Sequence, residues 1–360
     1  RAGRRSHEEP PFANPRTPPH DARLPMPQKS FRDAINEALH LEMARDPSII
    51  VLGEDVAGGA GGTGVDEAAG GIFGVTKGLM TKFGRERVID TPISESAIVG
   101  AAAGAALAGL RPVAELMFAD FIGVCMDQIF NQAAKFRYMF GGKSRCPVVI
   151  RAATGAGMNM GAQHSQTMYP MITAVPGIKV VIPSNAYDAK GLLIEALRGD
   201  DPVMFFEHKA LYPRKGEVPD EAYRIPFGEA ALVREGEHVT VVALARMVPF
   251  AEKAIDALAK DGITCDLIDP RTTSPLDEET ILESVENTGR LVVVDESPPR
   301  CSVAADIAAI VAQQGFHSLK APIIQVTAPH SPVPFARELE RAYVPGPQKI
   351  EAAIRQVMKS

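Results

Sequence analysis

The feature that most constrains this chain is a short apolar run that recurs without polar alternation. SIIVLGED (48–55), RPVAEL (111–116), CPVVIRA (146–152), IKVVIP (178–183) and DPVMFF (201–206) all follow it. A strand that is wet on one face alternates, so uniformly apolar runs require cover on both faces. Helical stretches separate several of them. FRDAINEALHLEMARDP places Phe31, Ala34, Ile35, Ala38, Leu39 and Leu41 at helical spacing, with Pro47 at the exit, and Ile122–Met139 and Ala186–Ala196 behave likewise. Strands spaced by helices form a parallel sheet sandwiched between helical layers. Residues 211–227 hold three prolines and mixed charge, which predicts a linker. A second set follows: HVTVVALA (238–245), a helix through Pro249–Lys260, ITCDLID (263–269), a helix through Glu279–Thr288, RLVVVDE (290–296), a helix through Val303–Gly315 and APIIQVTA (321–328). The expected fold is therefore α/β in two domains, 29–210 and 228–360, each with a mostly parallel sheet covered by helices. No internal repeat links the two.

Length agrees, since 360 residues at roughly 150 per domain is about two domains. The net charge of −6 argues against a nucleic-acid partner, which would call for a basic stripe. The longest nearly uncharged apolar run, Ala97–Leu110, is fourteen residues and so too short for a bilayer, which takes about 20. No membrane partner is expected. Cys125, Cys146, Cys265 and Cys301 have neither zinc nor redox spacing, which fits a reducing, cytoplasmic compartment. Residues 1–28 carry seven prolines and five arginines without an apolar run, so they are expected to be a disordered or upstream extension rather than a signal peptide, with Met26 a candidate native start.

Several strong motifs are absent. GGKS at 141–144 ends like a phosphate-binding loop, but Arg137 occupies the position of its first glycine. GAGMNMG at 155–161 lacks dinucleotide spacing, and neither H-E-x-x-H nor G-x-S-x-G occurs. What remains is a set of residues at the C-terminal ends of strands, where open parallel sheets bind ligands. Glu54 and Asp55 close the first strand, and Glu95 stands near the start of an apolar helix. Phe118, Asp120 and Phe121 follow RPVAEL, and His164 lies in a loop after PVVIRA. Singly, each has an ordinary explanation: a capping glutamate, core phenylalanines, a solvated loop histidine.

Taken together, long ordered segments make the chain resemble the beta subunits of thiamine-diphosphate-dependent 2-oxo acid dehydrogenases and acetoin dehydrogenase. The matching segments are RDAINEAL (32–39), LGED (52–55), DTPISE (90–95), GLRPVAELMFADF (109–121), DQIFNQAAKFRYMFGGK (127–143), GAQHSQ (161–166), PGIKVV (176–181), DAKGLL (188–193) and RTTSPLD (271–277). They imply a pyrimidine-binding domain followed by a transketolase-type C-terminal domain. The glycine-rich stretch from Gly58 to Gly78, KFRYMFGGK (135–143) and TAPHSPVPF (327–335) are most similar to the acetoin branch. A pyruvate dehydrogenase beta subunit is the alternative, followed by a branched-chain one.

The resemblance also implies roles. Thiamine diphosphate must lose a weakly acidic thiazolium proton to its own aminopyrimidine, and a carboxylic acid on a pyrimidine nitrogen drives the required tautomer. That role maps onto Glu95. Burial favours the neutral form of such an acid, and Gly100, Gly104 and Gly109 are expected to let the neighbouring helix pack closely and keep the site dry. Phe121 maps onto the aromatic that stacks on the aminopyrimidine, Met117 lies just before it, and Glu54 maps onto a second carboxylate in a proton relay between paired sites. His164 maps onto a histidine that delivers a proton to a lipoyl sulfur, for which its ordinary pKa of ~6.5 is suited. The implied reaction cleaves acetoin to acetaldehyde and passes an acetyl-level adduct to a lipoyl acyltransferase partner.

The chain has GDDP at 199–202 but no G-D-G segment of the kind that holds magnesium and diphosphate. Magnesium is therefore expected on an alpha subunit in an α2β2 heterotetramer, and the isolated chain is expected to be inactive. No metal ligand is assigned here. A potassium ion is compatible with the strand ends near Val148 and the Ala196–Asp201 loop, where Asp201 stays available. A non-catalytic scaffold would have no need for the Glu95, Phe121 and His164 combination. A single-chain transketolase-like or deoxyxylulose-phosphate synthase activity would need the missing diphosphate half.

Overall fold

The structure, a computed structural model, describes residues 26–58 and 70–360. Residues 1–25 of the proline-rich extension and 59–69 of the glycine-rich stretch lie outside the described residues. The first part of the chain forms β1 (Gln28–Ser30), α1 (Phe31–Arg45), β2 (Ile49–Gly53), α2 (Leu79–Phe83), β3 (Val88–Asp90), α3 (Glu95–Leu107) and β4 (Arg111–Leu116). There follow α4 (Phe136–Met139), β5 (Val149–Thr154), α5 (Tyr169–Thr173), β6 (Lys179–Val181), α6 (Ala186–Arg198), β7 (Val203–His208) and β8 (Lys215–Glu217). The remainder gives β9 (Ala231–Arg234), β10 (Val239–Ala243), α7 (Met247–Leu258), β11 (Cys265–Asp269), β12 (Thr272–Ser274), α8 (Glu278–Thr288), β13 (Leu291–Asp295), α9 (Val303–Gln314), β14 (Ile324–Thr327), α10 (Arg337–Tyr343) and α11 (Pro347–Lys359).

The apolar runs become the central strands of two sheets. A seven-stranded sheet has the order β12-β6-β7-β5-β4-β2-β3, parallel except for β12. A five-stranded sheet has the order β14-β13-β10-β11-β9, parallel except for β9. Every residue of β5, β7, β10, β11 and β13 is buried, as uniformly apolar strands require. On one face of the first sheet α1 lays Phe31, Ile35, Leu39 and Met43 against Val51, Val113 and Phe205. Its Ser30 hydroxyl accepts the Asp33 N–H at 3.1 Å, which starts the helix cleanly.

Three features depart from expectation. The expected helix Ile122–Met139 is broken into a 3₁₀ turn at Ala119–Gly123, a π-helical segment at Gln128–Ala133 and the single turn α4. The wide turn buries both Ile129 and Ala134, closed by an Ala134 N–H donating to the Ile129 carbonyl at 3.1 Å. Residues 211–227 do not hang free, because β8 pairs antiparallel with β1 and Val218 and Ile225 are buried. Helix α11 was not anticipated, although Ile350, Ala353, Ile354 and Val357 line one buried stripe behind Pro347.

The two sheets share a seam. β12 follows β11 of the second sheet yet pairs with β6 of the first, Thr272 opposite Val181. Beneath it Asp269, fully buried, accepts from the Ser184 hydroxyl and from the Arg271 N–H at 2.9 Å, while Arg271 pairs with Asp188 at 2.9 Å. Burial and the nearby Asp188 carboxylate push the Asp269 carboxyl up to about 7, against the pull of its Ser184 and Arg271 contacts. Its folded pKa thus lies above its unfolded value, so it costs stability progressively as pH rises from about 4 to about 7, and the cost levels off above that. Asp269→Asn removes that cost. The melting temperature of the variant relative to wild type should therefore climb between about pH 5 and about pH 8. A constant difference across that range would show that Asp269 does not titrate there.

Candidate active site

The strand order itself picks out a crevice. From β2 the chain turns to β3 on one side, then crosses back to β4 on the other, so the connections leaving β2 and β4 diverge. Ligands in open parallel sheets sit at such a switch point, beyond the strand C-termini. Gly53 of β2 pairs with Asp90 of β3 and Glu115 of β4, which brings their three following loops together. A Cβ at Gly53 would lie 2.8 Å from the Glu115 carbonyl oxygen, so glycine permits that close approach.

Those loops carry Glu54, Glu95, Met117 and Phe121. Glu95 is the first residue of α3 and is 8% exposed. Its carboxyl makes no hydrogen bond or ion pair among the described residues, and no side chain caps this helix. Glu95 therefore does not cap the helix, although its place in the first turn suits the helix dipole. Burial, helped by the Asp55 and Glu95 carboxylates, holds the Glu54 carboxyl above its ordinary range, which puts Glu54 and Glu95 within electrostatic reach. On the far side the Cys125 thiol is pushed up to about 12, chiefly by burial and also by Glu95. Cys125 Sγ donates to the Phe121 carbonyl at 3.6 Å, and Ser96 Oγ donates to the Val124 carbonyl at 2.7 Å, so the head of α3 is tied to the 119–125 turn.

Phe121 and His164 meet there. The His164 ring lies edge-on to Phe118 at 4.6 Å and to Phe121 at 5.5 Å, and the two phenyl rings are 6.0 Å apart. Such T-shaped contacts suit rings with electron-rich faces and positive edges. Electrostatic influence thus links Glu54 to Glu95 and Glu95 to Cys125, and direct contacts link Cys125 to Phe121 and Phe121 to His164. Met117 is half-buried one residue past β4. The glycine expectation needs correction: a Cβ at Gly100 would approach Gln128 Oε1 to 3.1 Å, but Gly104 and Gly109 have nothing within 4 Å. Only the first turns of α3 are closely packed through glycine.

Two groups escaped the sequence reading. Arg151, on the central strand β5, pairs with Glu207 of β7 at 2.6 and 2.8 Å and with Glu115 of β4 at 2.6 Å, and the Tyr212 hydroxyl adds a 2.8 Å bond to Glu207. The signal was a charged residue inside each of three neighbouring apolar runs: Glu115, Arg151 and Glu207. Between the sheets, Glu296 accepts from the Ala156 N–H at 2.5 Å and meets His208 at 3.0 Å, while Glu340 accepts from Gly157 and Asn159. The potassium expectation also changes, because Asp201 is paired with Arg137 and lies 3.7 Å from Lys179. Among the described residues no three His, Cys, Asp or Glu side chains gather as a metal set, and no helix is long and apolar enough to cross a membrane.

This architecture is that of a transketolase-like chain. The transketolase pyrimidine-binding domain model matches residues 27–215, and the transketolase C-terminal domain model matches residues 228–350. A split-gene transketolase described as an inactive beta4 tetramer superposes with a TM-score of 0.71 at 22% identity, covering 92% of this chain and 98% of that one, a likeness of fold. The chain is 61% identical over 330 residues to the beta subunit of the acetoin:2,6-dichlorophenolindophenol oxidoreductase of Cupriavidus necator, covering 92% of this chain and 97% of that protein. To the 2-oxoisovalerate dehydrogenase beta subunit of Bacillus subtilis it is 44% identical over 330 residues, covering 91% and 98%. The chain belongs to the family of transketolase-like beta subunits of acetoin and 2-oxo acid dehydrogenases.

Proposed function

We propose that this chain is the beta half of a thiamine-diphosphate-dependent acetoin dehydrogenase, working with an alpha subunit in an α2β2 assembly. The observation that carries the reading is Glu95, a residue 8% exposed at the switch point whose carboxyl has no hydrogen-bond or ion-pair partner among the described residues. Such a group fits a heteroaromatic ring nitrogen, which would give it the hydrogen bond it lacks. The 61% identity to an acetoin-oxidising relative, against 44% to a branched-chain one, supports acetoin as the substrate. Thiamine diphosphate, when bound, supplies a carbanion that attacks a carbonyl carbon. Glu95 would hold a proton at the pyrimidine nitrogen, Phe121 and Met117 would wall the ring, and Glu54 would exchange protons with Glu95 and its counterpart in the paired site. The alpha subunit would carry magnesium and the diphosphate. The overall reaction cleaves acetoin to acetaldehyde and a second two-carbon unit, which either reduces and acylates a lipoyl disulfide on an acyltransferase or gives two electrons to a dye and leaves, with water, as acetate.

Reconstitution with the alpha subunit should give dye reduction that is fastest with acetoin. Faster turnover of pyruvate or a branched-chain oxo acid would overturn the substrate assignment.

His164 would act at the second step, as proton donor to the lipoyl sulfur. Its half-buried ring, held by Phe118 and Phe121, is close to the outer side of the site. His164→Ala should spare much of the dye-linked rate, because a dye needs no proton at sulfur. The lipoyl-linked rate should fall roughly 10²–10⁴-fold. Equal losses in both assays at an unchanged melting temperature would move His164 to substrate binding or carbon–carbon cleavage.

A further inference from the structure

The site also contains Asp120, a carboxylate to which none of these roles has been given. Asp120 sits in the 3₁₀ turn after β4, between Phe118 and Phe121. Its Oδ1 accepts two bonds from one residue, the Gln166 main-chain N–H at 3.2 Å and the Gln166 side-chain Nε2 at 2.8 Å. Gln166 is held on its other side as well, since its carbonyl accepts from Thr154 Oγ1 at 2.9 Å and from the Gly155 N–H at 3.3 Å. His164 is two residues away. Its main-chain N–H has only a long 3.5 Å contact with the Gly161 carbonyl, so its own loop restrains it weakly.

The second oxygen of Asp120, Oδ2, is buried and accepts no hydrogen bond among the described residues. Leaving a charged acceptor unmade in this way is costly. The cation within electrostatic reach is Lys209, itself fully buried: burial pushes its ammonium down to about 8, the Glu296, Asp120 and Glu340 carboxylates offset part of that, and its Nζ donates to the Gly155 carbonyl.

We propose that Asp120 is the positioning residue for His164, clamping Gln166 so that the His164 ring stays wedged between Phe118 and Phe121. The proposal rests on the proton-delivery role of His164 stated above. Asp120 does not touch substrate. It acts by placing the three residues 164–166 against the same turn that carries both phenyl rings. A ring displaced by about 1 Å can cost on the order of 10²-fold in rate, which is the size of effect the clamp would protect.

The test uses the reconstituted complex carrying Asp120→Ala, Asp120→Asn, Gln166→Ala, His164→Ala and the Asp120→Ala/His164→Ala pair. Asp120→Ala should cut the lipoyl-linked rate by about 10²-fold while sparing more of the dye-linked rate. Asp120→Asn keeps the Oδ1 acceptor and should restore most of the loss. Gln166→Ala, an exposed side chain, keeps the main-chain bond and should fall between the two. The pair should be no slower than His164→Ala alone, since positioning a ring that is absent changes nothing. Losses that multiply in the pair, or an Asp120→Ala complex with wild-type lipoyl-linked rate, would overturn the proposal. Hydrogen exchange over residues 161–166 separates the two readings. If His164→Ala itself leaves the lipoyl-linked rate intact, the role of His164 falls, and faster exchange in Asp120→Ala still supports the clamp. Unchanged exchange there overturns it.

Discussion

Replacing Glu95 with glutamine should leave the subunit folded and remove most turnover of the reconstituted complex, roughly 10²–10⁴-fold. The expectation follows from what Glu95 does not do. It is buried at the head of α3 without a cap bond, a salt bridge or a hydrogen bond among the described residues. Glutamine has the same shape, so packing at the head of α3 persists. The lost charge at a helix start costs only ~0.3–1 kcal/mol. What disappears is a carboxyl able to share a proton with a ring nitrogen. A second readout is independent of turnover. The Glu95 carboxylate helps to raise the Glu54 carboxyl, so removing that like charge should let Glu54 titrate lower. Wild-type turnover in Glu95→Gln would take Glu95 out of the chemistry, and an unmoved Glu54 would show that the two do not interact.

Arg151→Met should be the most destabilising single change in the first sheet. The guanidinium is 2% exposed and neutralises two carboxylates, of which Glu207 is fully buried. Methionine fills much of the volume but leaves Glu115 and Glu207 facing each other without a cation. Breaking a buried ion pair by removing one partner costs ~3–5 kcal/mol. Burial already pushes the Glu115 carboxyl up, and loss of Arg151, which now pulls it down, would raise it further. Thermal unfolding should shift downward by on the order of 10 °C. Replacing all three charges by apolar residues should recover much of the loss, because a buried ionic group is often no more stabilising than well-packed hydrophobes. An Arg151→Met protein that melts within about 2 °C of wild type would show that water reaches the cluster.

The central strands were legible because both of their faces are buried, which stamps a continuous apolar run on the sequence. β2, β4, β5, β7, β10, β11 and β13 all lie inside such runs. Most edge elements were not, β14 within APIIQVTA being the exception. β1, β3, β8, β9 and β12 have three or four residues each, too few to carry a period. The broken helix at 119–139 reads as continuous because 3₁₀, α and π turns place apolar residues at similar spacings. Helix α11 does carry its signal in the sequence, a proline start and an apolar stripe of Ile350, Ala353, Ile354 and Val357. For the site, residue types and strand ends suggested candidates, but their roles came only with the family resemblance. Convergence of positions as distant as 54, 95, 121 and 164 depends on strand order, which local pattern does not encode. Asp120 was visible as a polar residue past a strand, yet its partner Gln166 could not be guessed without the fold.

The position of β12 sets an order of events during synthesis. Thr272–Ser274 completes the edge of the seven-stranded sheet at β6, although β6 ends at Val181. A growing chain must therefore present the β6 edge without its neighbour until some ninety further residues have left the ribosome, since 272 − 181 = 91. Unpaired strand edges invite pairing with other chains. During that interval the nascent subunit would be most open to joining another copy edge to edge or to capture by a chaperone. Chains stalled just before residue 272 should accordingly aggregate more readily than chains stalled well past residue 274.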